Sequence, residues 1–387
     1  MPSNIRGLRL ADKPRRKSSS FADRPLAVVA AGGTGGHLFP AEALARELSA
    51  RGWEIVLASD ARGAAYAENF PAKERLSLEA ATFKAGDPIG MAKAAVKIAA
   101  GVLQARKAFK RLKPWAVIGF GGYPSYPALI AALSRKDVTL IHEQNSVLGR
   151  SNRQLAAKVD AMACAFPVLR MAPPELEGRV QVVGNPVRPD IRALYDQPYP
   201  PVDKTIRLLI TGGSQGAKIL SETVPKALAL LPVSIRIHLH VEQQTRPENV
   251  AEAEAVYRAA DIEAEIAPFF TDMAARLGRA HIVIGRAGAS TCCELAVAGR
   301  PSLLIPLKIA MDDHQTWNAE VLKEAKAAVV VREDDCTPEK LAEEIRVLIE
   351  GAQLLPVRAA AAKSVARPDA AKQLADLVER TVKRVKG

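Results

Sequence analysis

The sequence has few aromatic residues, few cysteines and no long uncharged segment. Aromatic residues make up 5% of the 387 residues, which leaves few surfaces on which nucleic-acid bases could stack. The four cysteines form no CxxC pair, and no histidine stands at zinc-ligand spacing, which argues against a zinc finger or a disulfide scaffold. Residues 1–25 lack the apolar core of a secretory signal, and no uncharged run reaches the roughly 18 residues of a membrane-spanning helix. We therefore expect a protein of the reducing cytosol.

The abundant residue types indicate a globular protein with a basic surface. Apolar residues make up 48% and charged residues 25% of the chain, which excludes a mainly disordered, fibrous or membrane-bundle protein. The length predicts two domains, or three. With 54 basic against 42 acidic residues, the net charge of +12 predicts attraction to phosphates, nucleic acid or an acidic lipid surface without choosing among them.

The first 24 residues form a basic tail. They contain seven basic and two acidic residues and show no apolar periodicity, which predicts disorder. A solvated extension and a specific binding arm are both open interpretations of residues 1–24.

From residue 25 onward, short apolar runs alternate with helical patterns, and this arrangement occurs twice. The predicted strands cover residues 26–31, 53–58, 116–120, 138–142 and 162–166, and then 207–211, 235–241, 281–284 and 302–305. Strands separated by helices predict parallel sheets covered on both faces. Because AVVAAGGTGG near residue 30 is echoed by LLITGGSQG near residue 210, we predict an α/β protein of two similar Rossmann-like halves.

These halves define the predicted domains. We place the first over 25–185 and the second over 205–360, joined by a proline-rich linker over 186–204. We also predict a carboxyl-terminal helix over 361–387. Whether this helix packs back on the first domain is open. In such an architecture the ligand is expected at the carboxyl ends of the strands, in the cleft between the halves.

The first glycine loop, GGTGGH at residues 32–37, follows a predicted strand and precedes a predicted helix that starts near Phe39-Pro40. Glycines let a ligand approach the backbone, and the free amides of a helix start favour a phosphate or another anion. The loop does not fit G-x-G-x-x-G in any register, which argues against an NAD-dependent oxidoreductase, although Asp60 stands where a ribose-binding acid would. His37 ends the loop, and either a structural role or proton abstraction from a hydroxyl is open.

Two further loops repeat this context in the second half. In GGSQGA at 212–217, Ser214 could add a hydroxyl donor around a phosphate, although a simple tight turn is the alternative and the G-K-[ST] ending of an ATPase loop is missing. In GRAGASTCCE at 285–294, Glu294 could accept the hydroxyls of a ribose or only complement the helix dipole. Arg286 could offset phosphate charge or pair with an acid.

Two polar clusters lie at the ends of predicted elements. HEQN at 142–145 follows a strand, and DDHQ at 312–315 precedes a helix. Neither finds a matching set of metal ligands elsewhere in the sequence, so we predict no metal site.

One segment is both basic and amphipathic. Residues 91–113 contain seven basic residues and no acid, with an interrupted apolar stripe of Val96, Ala99, Leu103 and Phe109. Such a helix fits the surface of an anionic bilayer, or it packs on its own domain as a solvated helix.

Taken in order along the chain, the motifs resemble those of one enzyme family. They are AGGTGGH (31–37), GFGGYPSYP (119–127), HEQN (142–145), VVGNPVR (182–188), GGSQGA (212–217), GRAGAST followed by Glu294 (285–294) and DHQTWNA (313–319). The ordered set, over about residues 25–330, is similar to that of the UDP-N-acetylglucosamine transferases that act on undecaprenyl-pyrophosphoryl-N-acetylmuramoyl-pentapeptide. These enzymes perform the last cytoplasmic step of bacterial peptidoglycan synthesis.

The resemblance implies the two-domain glycosyltransferase type B fold and an inverting transfer without a metal or another cofactor. GlcNAc would move from UDP to the C4 hydroxyl of the lipid-linked muramoyl sugar and form a β-1,4 bond. The implied partners are UDP-GlcNAc, the lipid-linked MurNAc-pentapeptide, an anionic membrane surface and proteins of cell-wall synthesis, with no nucleic acid. The implied location is the cytoplasmic face of the bacterial inner membrane, where the enzyme would be peripheral.

The resemblance also implies roles for individual residues. His37 matches the histidine most often proposed as the catalytic base. Acceptor contacts would come from Gly33, Gly35, Gly36, Gly121, Gly122 and Tyr123. Donor contacts would come from Thr34, Gly35, Gly36, Asn145, Arg188, Ser214, Gln215, Phe270, Arg286, Ala289, Ser290, Thr291, Glu294 and Gln315. Within that set, Ser214 would contact the pyrophosphate, Phe270 would lie by the uracil and Glu294 would bind the ribose.

Other function classes share part of this pattern. A type B glycosyltransferase with another acceptor, or a sugar-nucleotide epimerase, would have the same fold. A nucleic-acid-binding protein would fit the charge alone. The chain also departs from the usual family pattern at 240–243, at His281 and at Phe270.

Overall fold

The computed structural model, which describes residues 24–32, 35–60, 63, 69–81, 87–213 and 216–387, contains two parallel sheets. The strands of the first sheet are β1 (Leu26–Ala30), β2 (Glu54–Ser59), β3 (Glu74–Ser77), β4 (Ala116–Gly119), β5 (Val138–Glu143), β6 (Ala161–Cys164) and β7 (Val180–Val182). The helices that follow these strands or join the halves are α1 (Gly35–Ala50), α2 (Pro88–Leu112), α3 (Ser125–Arg135), α4 (Arg150–Leu155) and α5 (Pro189–Arg192).

The second half repeats the arrangement. Its strands are β8 (Ile206–Thr211), β9 (Leu239–Gln244), β10 (Glu263–Ala267), β11 (Ile282–Gly285), β12 (Ser302–Leu304) and β13 (Ala328–Val330). Its helices are α6 (Lys218–Ala229), α7 (Val233–Arg236), α8 (Val250–Ala259), α9 (Met273–Arg279), α10 (Ala289–Ala298), α11 (His314–Glu324), α12 (Pro338–Glu350), α13 (Leu355–Ser364) and α14 (Ala370–Lys386).

The two sheets have the same strand order. The first runs β3-β2-β1-β4-β5-β6-β7 and the second β10-β9-β8-β11-β12-β13, with every pair parallel. In each sheet the order reverses beside the first strand, which is the doubly wound arrangement that binds ligands at the reversal. The predicted α/β fold with two Rossmann-like domains is confirmed.

Both faces of each sheet are buried, and successive residues of the central strands point to opposite faces. In β1, Ala27 and Val29 pack with Leu44 of α1 on one face, while Val28 packs with Phe109 of α2 on the other face. In β8, Leu208 and Ile210 join one apolar cluster and Leu209 joins the opposite one.

The last helix of the chain belongs to the core of the first half. Leu374, Leu377 and Val378 of α14 are buried in the cluster that contains Val29 and Leu44. α14 is also held at its surface, because Arg51 pairs with Asp376 at 2.6 Å and with Glu379 at 2.8 Å. The chain therefore crosses between the halves twice, at the linker and again before α14.

This packing predicts a position-dependent loss of stability along α14. Val378→Ala should lower the free energy of unfolding by about 1.5–3 kcal/mol, since it removes two buried carbon atoms and leaves a cavity. Val385→Ala is the matched control, because Val385 is 45% exposed on the same helix, and it should change stability by less than about 0.5 kcal/mol. Urea unfolding measures both, and equal losses would contradict the packing of α14 in the core.

The structure corrects three details of the sequence-based elements. The strand predicted over 235–241 is wrong at its start, because Val233–Arg236 forms a helical turn after Pro232 and the strand begins at Leu239. α1 begins at Gly35 rather than near Phe39-Pro40, so Pro40 lies inside the helix. β3, β7, β10 and β13 were not predicted, and each is an edge strand of its sheet.

The buried face of the amphipathic helix α2 also differs from the apolar stripe predicted from the sequence. Asp87 caps its start by accepting the Gly90 amide at 2.9 Å, and Pro88 follows in the first turn. Phe109 is buried against the sheet, whereas Val96 and Leu103 are 70% and 67% exposed. The expected stripe of Val96, Ala99, Leu103 and Phe109 is therefore not one face.

Candidate active site

The two glycine loops leave the central strands at equivalent points. They follow β1 and β8, where the strand orders reverse, and they lead into α1 and α6. A Cβ atom on Gly32 would lie 2.8 Å from Ser59 Oγ, and one on Gly212 would lie 2.3 Å from the amide nitrogen of Ala217. Both positions therefore require glycine. Four predicted site residues, Gly33, Thr34, Ser214 and Gln215, lie outside the described residues.

His37 lies beside the first of these loops, after Gly35 and Gly36 in the first turn of α1. Its imidazole is half-buried, and Nδ1 is 2.9 Å from Gln144 Oε1. The loop after β4 passes over the ring: a Cβ atom on Gly122 would lie 3.3 Å from His37 Cδ2 and 3.4 Å from His37 Nε2. The structure thus brings the predicted base and the predicted acceptor loop together.

Tyr123 holds that loop to the end of β2. Its hydroxyl donates to Asp60 Oδ2 at 2.7 Å, and the Gly63 amide donates to Asp60 Oδ1 at 2.9 Å. Gly121 and Gly122 adopt φ values of +78° and +70°, which favour glycine. Asp60, the acid that a dinucleotide interpretation would place on a ribose, has a structural role here.

The turn after β5 is organised by one buried carboxylate. Glu143 Oε1 accepts from the Asn145 amide at 3.0 Å and from Asn145 Nδ2 at 3.3 Å. Its Oε2 accepts from the Gly149 amide at 3.0 Å and from Asn152 Nδ2 at 2.8 Å. Because four hydrogen-bond donors surround it, the Glu143 carboxylate fixes the position of Asn145. Asn145 is one of the residues predicted to contact UDP-GlcNAc.

Asn318 of α11 joins this turn to the second half. Its Oδ1 accepts the Ser146 amide at 2.8 Å, and its Nδ2 donates to Asn145 Oδ1 at 3.1 Å and to the Ala287 carbonyl at 3.2 Å. Asn318 is completely buried. Asn145 therefore lies at the contact between the two halves.

Arg188, at the start of α5, connects three elements of the cleft. Its Nη2 lies 3.9 Å from Oε1 of Glu294 in α10, and its guanidinium lies 5.4 Å from the ring centre of Phe39 in α1. Burial raises the pKa of Glu294 to about 7, and the Arg188 charge opposes that rise. Asn185 donates to Ser290 Oγ at 3.4 Å.

The predicted residues of α10 share its first two turns. Ala289, Ser290 and Thr291 form the amino-terminal turn, and Glu294 follows one turn later. The Arg188 charge lies near Glu294, one turn beyond the free amides of this helix start.

Arg286 is paired with an acid. It donates to both oxygens of Glu333 at 3.0 Å and to the carbonyls of Ile305 and Pro306 at 3.1 and 3.3 Å. Its side chain is 11% exposed. Of the two roles considered for Arg286, the structure shows the ion pair with an acid. A contact between Arg286 and UDP-GlcNAc stays a prediction.

The ring of Phe270 does not form an open surface. Phe270 is buried, and the Arg276 guanidinium lies 3.7 Å from its ring centre. The neighbouring Phe269 is 60% exposed. Gln315, in the first turn of α11, uses its Oε1 to accept the Leu307 amide at 3.0 Å. The contacts predicted for Phe270 and Gln315 stay predictions.

Across the described residues, no group of three or more histidine, cysteine, aspartate or glutamate side chains could hold a metal ion. Within the same residues, no helix has the length and apolarity that crossing a membrane requires.

Comparison with known proteins assigns the two halves to one family. The model of the glycosyltransferase family 28 N-terminal domain matches residues 27–164, and that of the family 28 C-terminal domain matches residues 207–374. The chain belongs to glycosyltransferase family 28. The predicted enzyme class, a hexosyltransferase, is confirmed for this family 28 member.

Relatives within family 28 cover nearly the whole chain. A UDP-N-acetylglucosamine--N-acetylmuramyl-(pentapeptide) pyrophosphoryl-undecaprenol N-acetylglucosamine transferase from Caulobacter vibrioides is 58% identical over 358 residues, covering 92% of this chain and 99% of the relative. The enzyme of the same name from Phenylobacterium zucineum is 56% identical over 362 residues, covering 93% and 99%. The crystal structure of MurG from Acinetobacter baumannii has a TM-score of 0.75 at 32% identity, covering 92% of this chain and 99% of that one.

Three buried residues without a predicted site role contact His37 or Asn145, directly or through one another. Gln144 and His142 stood in the HEQN run, and Asn318 stood in the DHQTWNA run. Their polarity directly after a strand or at a helix start was the available signal. Their partners lie more than 100 residues away for His37 with Gln144 and for Asn318 with Asn145.

Proposed function

We propose that the chain transfers GlcNAc from UDP-GlcNAc to the C4 hydroxyl of undecaprenyl-pyrophosphoryl-MurNAc-pentapeptide, with inversion and formation of a β-1,4 bond, in peptidoglycan synthesis. The observation that carries this proposal is the 58% identity to the Caulobacter vibrioides enzyme over 99% of its length. The cleft supports it, because Arg188 of the linker lies between Phe39 of α1, the helix that carries His37, and Glu294 of the second half.

We assign the donor to the second half. UDP would lie over the glycine loop after β8 and the start of α10, where helix amides and Arg188 would stabilise charge developing on the leaving diphosphate. Glu294 would accept the ribose hydroxyls. The acceptor would approach along the glycine loops at residues 33–36 and 121–122 of the first half.

Transfer then requires one proton and one bond exchange. His37 Nε2 takes the proton of the C4 hydroxyl while that oxygen bonds to C1 of GlcNAc. The C1–O bond to UDP breaks, and UDP leaves with the electron pair. Attack from the face opposite UDP inverts the configuration at C1.

The test is UDP release from UDP-GlcNAc, measured with and without a short-chain lipid-linked MurNAc-pentapeptide, in EDTA. Acceptor-dependent release that survives EDTA supports the metal-independent transferase. Release of UDP and free sugar without an acceptor would indicate an epimerase-like hydrolysis instead. If the MurNAc acceptor has no effect but another acceptor does, the assigned acceptor is wrong.

We also propose that α2 docks the enzyme on an anionic bilayer at the cytoplasmic face of the membrane. Ile89, Val96 and Leu103 are 70%, 70% and 67% exposed, and their spacing of seven residues places them along one face of the helix. Lys93 and Lys97 are exposed and lie beside this apolar line, on the same side of it. Apolar side chains beside lysines are typical of helices that lie at a membrane interface.

A matched pair of triple variants tests this docking. Ile89→Ser, Val96→Ser and Leu103→Ser together should weaken binding to vesicles containing anionic lipid by about tenfold or more, because three apolar side chains no longer enter the interface. Leu230→Ser, Val233→Ser and Ile237→Ser remove three exposed apolar residues from the second half and should leave vesicle binding unchanged. Both triples should retain activity on a soluble acceptor. Equal vesicle binding by the two triples would contradict the assignment of α2.

A further inference from the structure

Two side chains, those of Gln144 and His142, connect His37 to the backbone at the joint between the halves. His37 Nδ1 is 2.9 Å from Gln144 Oε1. Gln144 Nε2 is 3.0 Å from His142 Nδ1 and 2.9 Å from the His142 carbonyl oxygen. His142 Nε2 is 2.8 Å from the Gly184 carbonyl oxygen. In this series of hydrogen bonds, each polar side-chain atom faces another polar atom. Its buried members, Gln144 and His142, contact the carbonyl oxygens of His142 and Gly184.

The carbonyl oxygens determine the direction of every hydrogen bond. The His142 carbonyl can only accept, so the Gln144 atom that faces it must be the amide nitrogen. The other Gln144 atom is therefore Oε1, which can also only accept. It follows that His37 Nδ1 carries a hydrogen and donates it to Gln144.

The same reasoning makes His142 a neutral and fully paired side chain. Its Nδ1 accepts from the Gln144 amide, and its Nε2–H donates to the Gly184 carbonyl. His142 is completely buried and its ring lies against Phe120. Burial lowers the pKa of His142 to about 4, so the ring stays uncharged at neutral pH and the direction of the chain does not change.

With a hydrogen on Nδ1, neutral His37 has its free electron pair on Nε2. That atom points past Gly122, where a Cβ would come within 3.4 Å of it. The absence of a side chain at Gly122 leaves room for a hydroxyl to approach. The hydrogen bonds to Gln144 and His142 therefore favour the Nδ1–H tautomer, which can accept a proton at Nε2, the ring nitrogen beside Gly122.

We propose that Gln144 and His142 are positioning residues that hold His37 in the Nδ1–H tautomer, with Nε2 free to take the proton of the acceptor hydroxyl. This inference deepens the proposed function and rests on it for the role of His37. Gln144 acts directly on His37, and His142 acts through Gln144.

The first test uses the unmodified protein. Side-chain nitrogen NMR of 15N-histidine-labelled full-length protein, with His37→Asn to assign the signal, reports the tautomer without any turnover. We expect His37 protonated on Nδ1 and unprotonated on Nε2 at pH 8. A dominant Nε2–H form would overturn the proposal, whatever the enzyme's activity, whereas absent acceptor-dependent UDP release would overturn the proposed function instead.

The second test removes the contacts one at a time. Gln144→Met keeps the length of the side chain but makes none of its three hydrogen bonds, and it should lower kcat about 10- to 100-fold with the KM for UDP-GlcNAc changed less than twofold. His142→Phe keeps the ring contact with Phe120 and leaves Gln144 bonded to the residue 142 carbonyl, so its loss of kcat should be smaller. Gln154→Met, at an exposed position of α4, is the matched control and should match wild type.

The NMR signal of His37 separates positioning from general damage. In Gln144→Met we expect the Nε2–H tautomer to become populated while thermal unfolding stays cooperative. Wild-type kcat in Gln144→Met, or a reduced kcat with an unchanged His37 tautomer, would overturn the proposal.

Discussion

Replacing His37 with alanine should lower kcat by about 10²- to 10⁴-fold, the range that a general base contributes. Without the imidazole, no side chain that we assign as a base is left to take the proton of the acceptor hydroxyl. The enzyme should still bind UDP within a few fold of wild type, because we propose that UDP binds in the other half. Single-turnover UDP release at saturating substrates measures the first effect, and calorimetric titration with UDP measures the second.

His238→Ala is the matched control for this loss. His238 is an exposed histidine just before β9, and its carbonyl pairs with Ile206 at the start of β8, the end of the strand opposite the glycine loop. Its replacement should leave kcat at the wild-type value. A His37→Ala enzyme that kept more than about a tenth of wild-type kcat would remove His37 as the base while leaving the proposed reaction in place.

Glu294→Gln should weaken donor binding and stabilise the fold at the same time. Exchanging the carboxylate for an amide weakens charged hydrogen bonds to the ribose, which should raise the KM for UDP-GlcNAc about 10- to 100-fold. The glutamine also removes a charge that the folded protein disfavours, since burial raises the pKa of Glu294 from 4.5 to about 7. At pH 8 the free energy of unfolding should increase by about 1–3 kcal/mol.

The pH dependence of that stability gain follows from the direction of the shift. Between pH 4.5 and 7 the folded protein holds a proton on Glu294 that the unfolded chain releases, so wild-type stability falls as the pH rises through this interval. The advantage of Glu294→Gln should therefore be complete above pH 7 and disappear near pH 4.5. Donor binding by wild type should weaken as the pH falls below 7, because protonated Glu294 accepts less well.

Denaturant unfolding at pH 5 and pH 8, with UDP titrations under the same conditions, checks both effects. Glu254→Gln, at an exposed position of α8, is the control and should change neither. An unchanged affinity for UDP-GlcNAc in Glu294→Gln would exclude the ribose contact, and an equal stability change for the two variants would exclude burial as the cause.

The interior of both sheets was predictable from the sequence. The nine predicted strands correspond to β1, β2, β4, β5, β6, β8, β9, β11 and β12, and each is paired on both sides. A parallel strand covered on both faces needs a continuous apolar run, which is visible in the sequence. The four edge strands were missed because they are partly exposed; β3, for example, reads Glu-Arg-Leu-Ser and alternates intermediate with exposed positions.

Helix patterns were less informative where an apolar residue could face either the core or a ligand. Val96 and Leu103 of α2 look like core residues by periodicity, yet they are exposed, while Phe109 is buried. Ile235 continues an apolar run but belongs to the turn that follows Pro232. Periodicity shows that a face is apolar, and only packing shows what covers that face.

By itself the sequence determined the two-domain α/β fold, the positions of the glycine loops and the family, because these depend on local runs and on the order of motifs. The tertiary structure decided which polar groups meet. Arg286 finds Glu333 47 residues later, and His37 finds Gln144 107 residues later. Such pairs depend on the strand order, which brings the carboxyl ends of distant strands to one edge, and no local pattern encodes that distance. For the same reason, the hydrogen inferred on His37 Nδ1 depends on the carbonyl oxygen of His142 in β5. The GGTGGH motif alone does not indicate it.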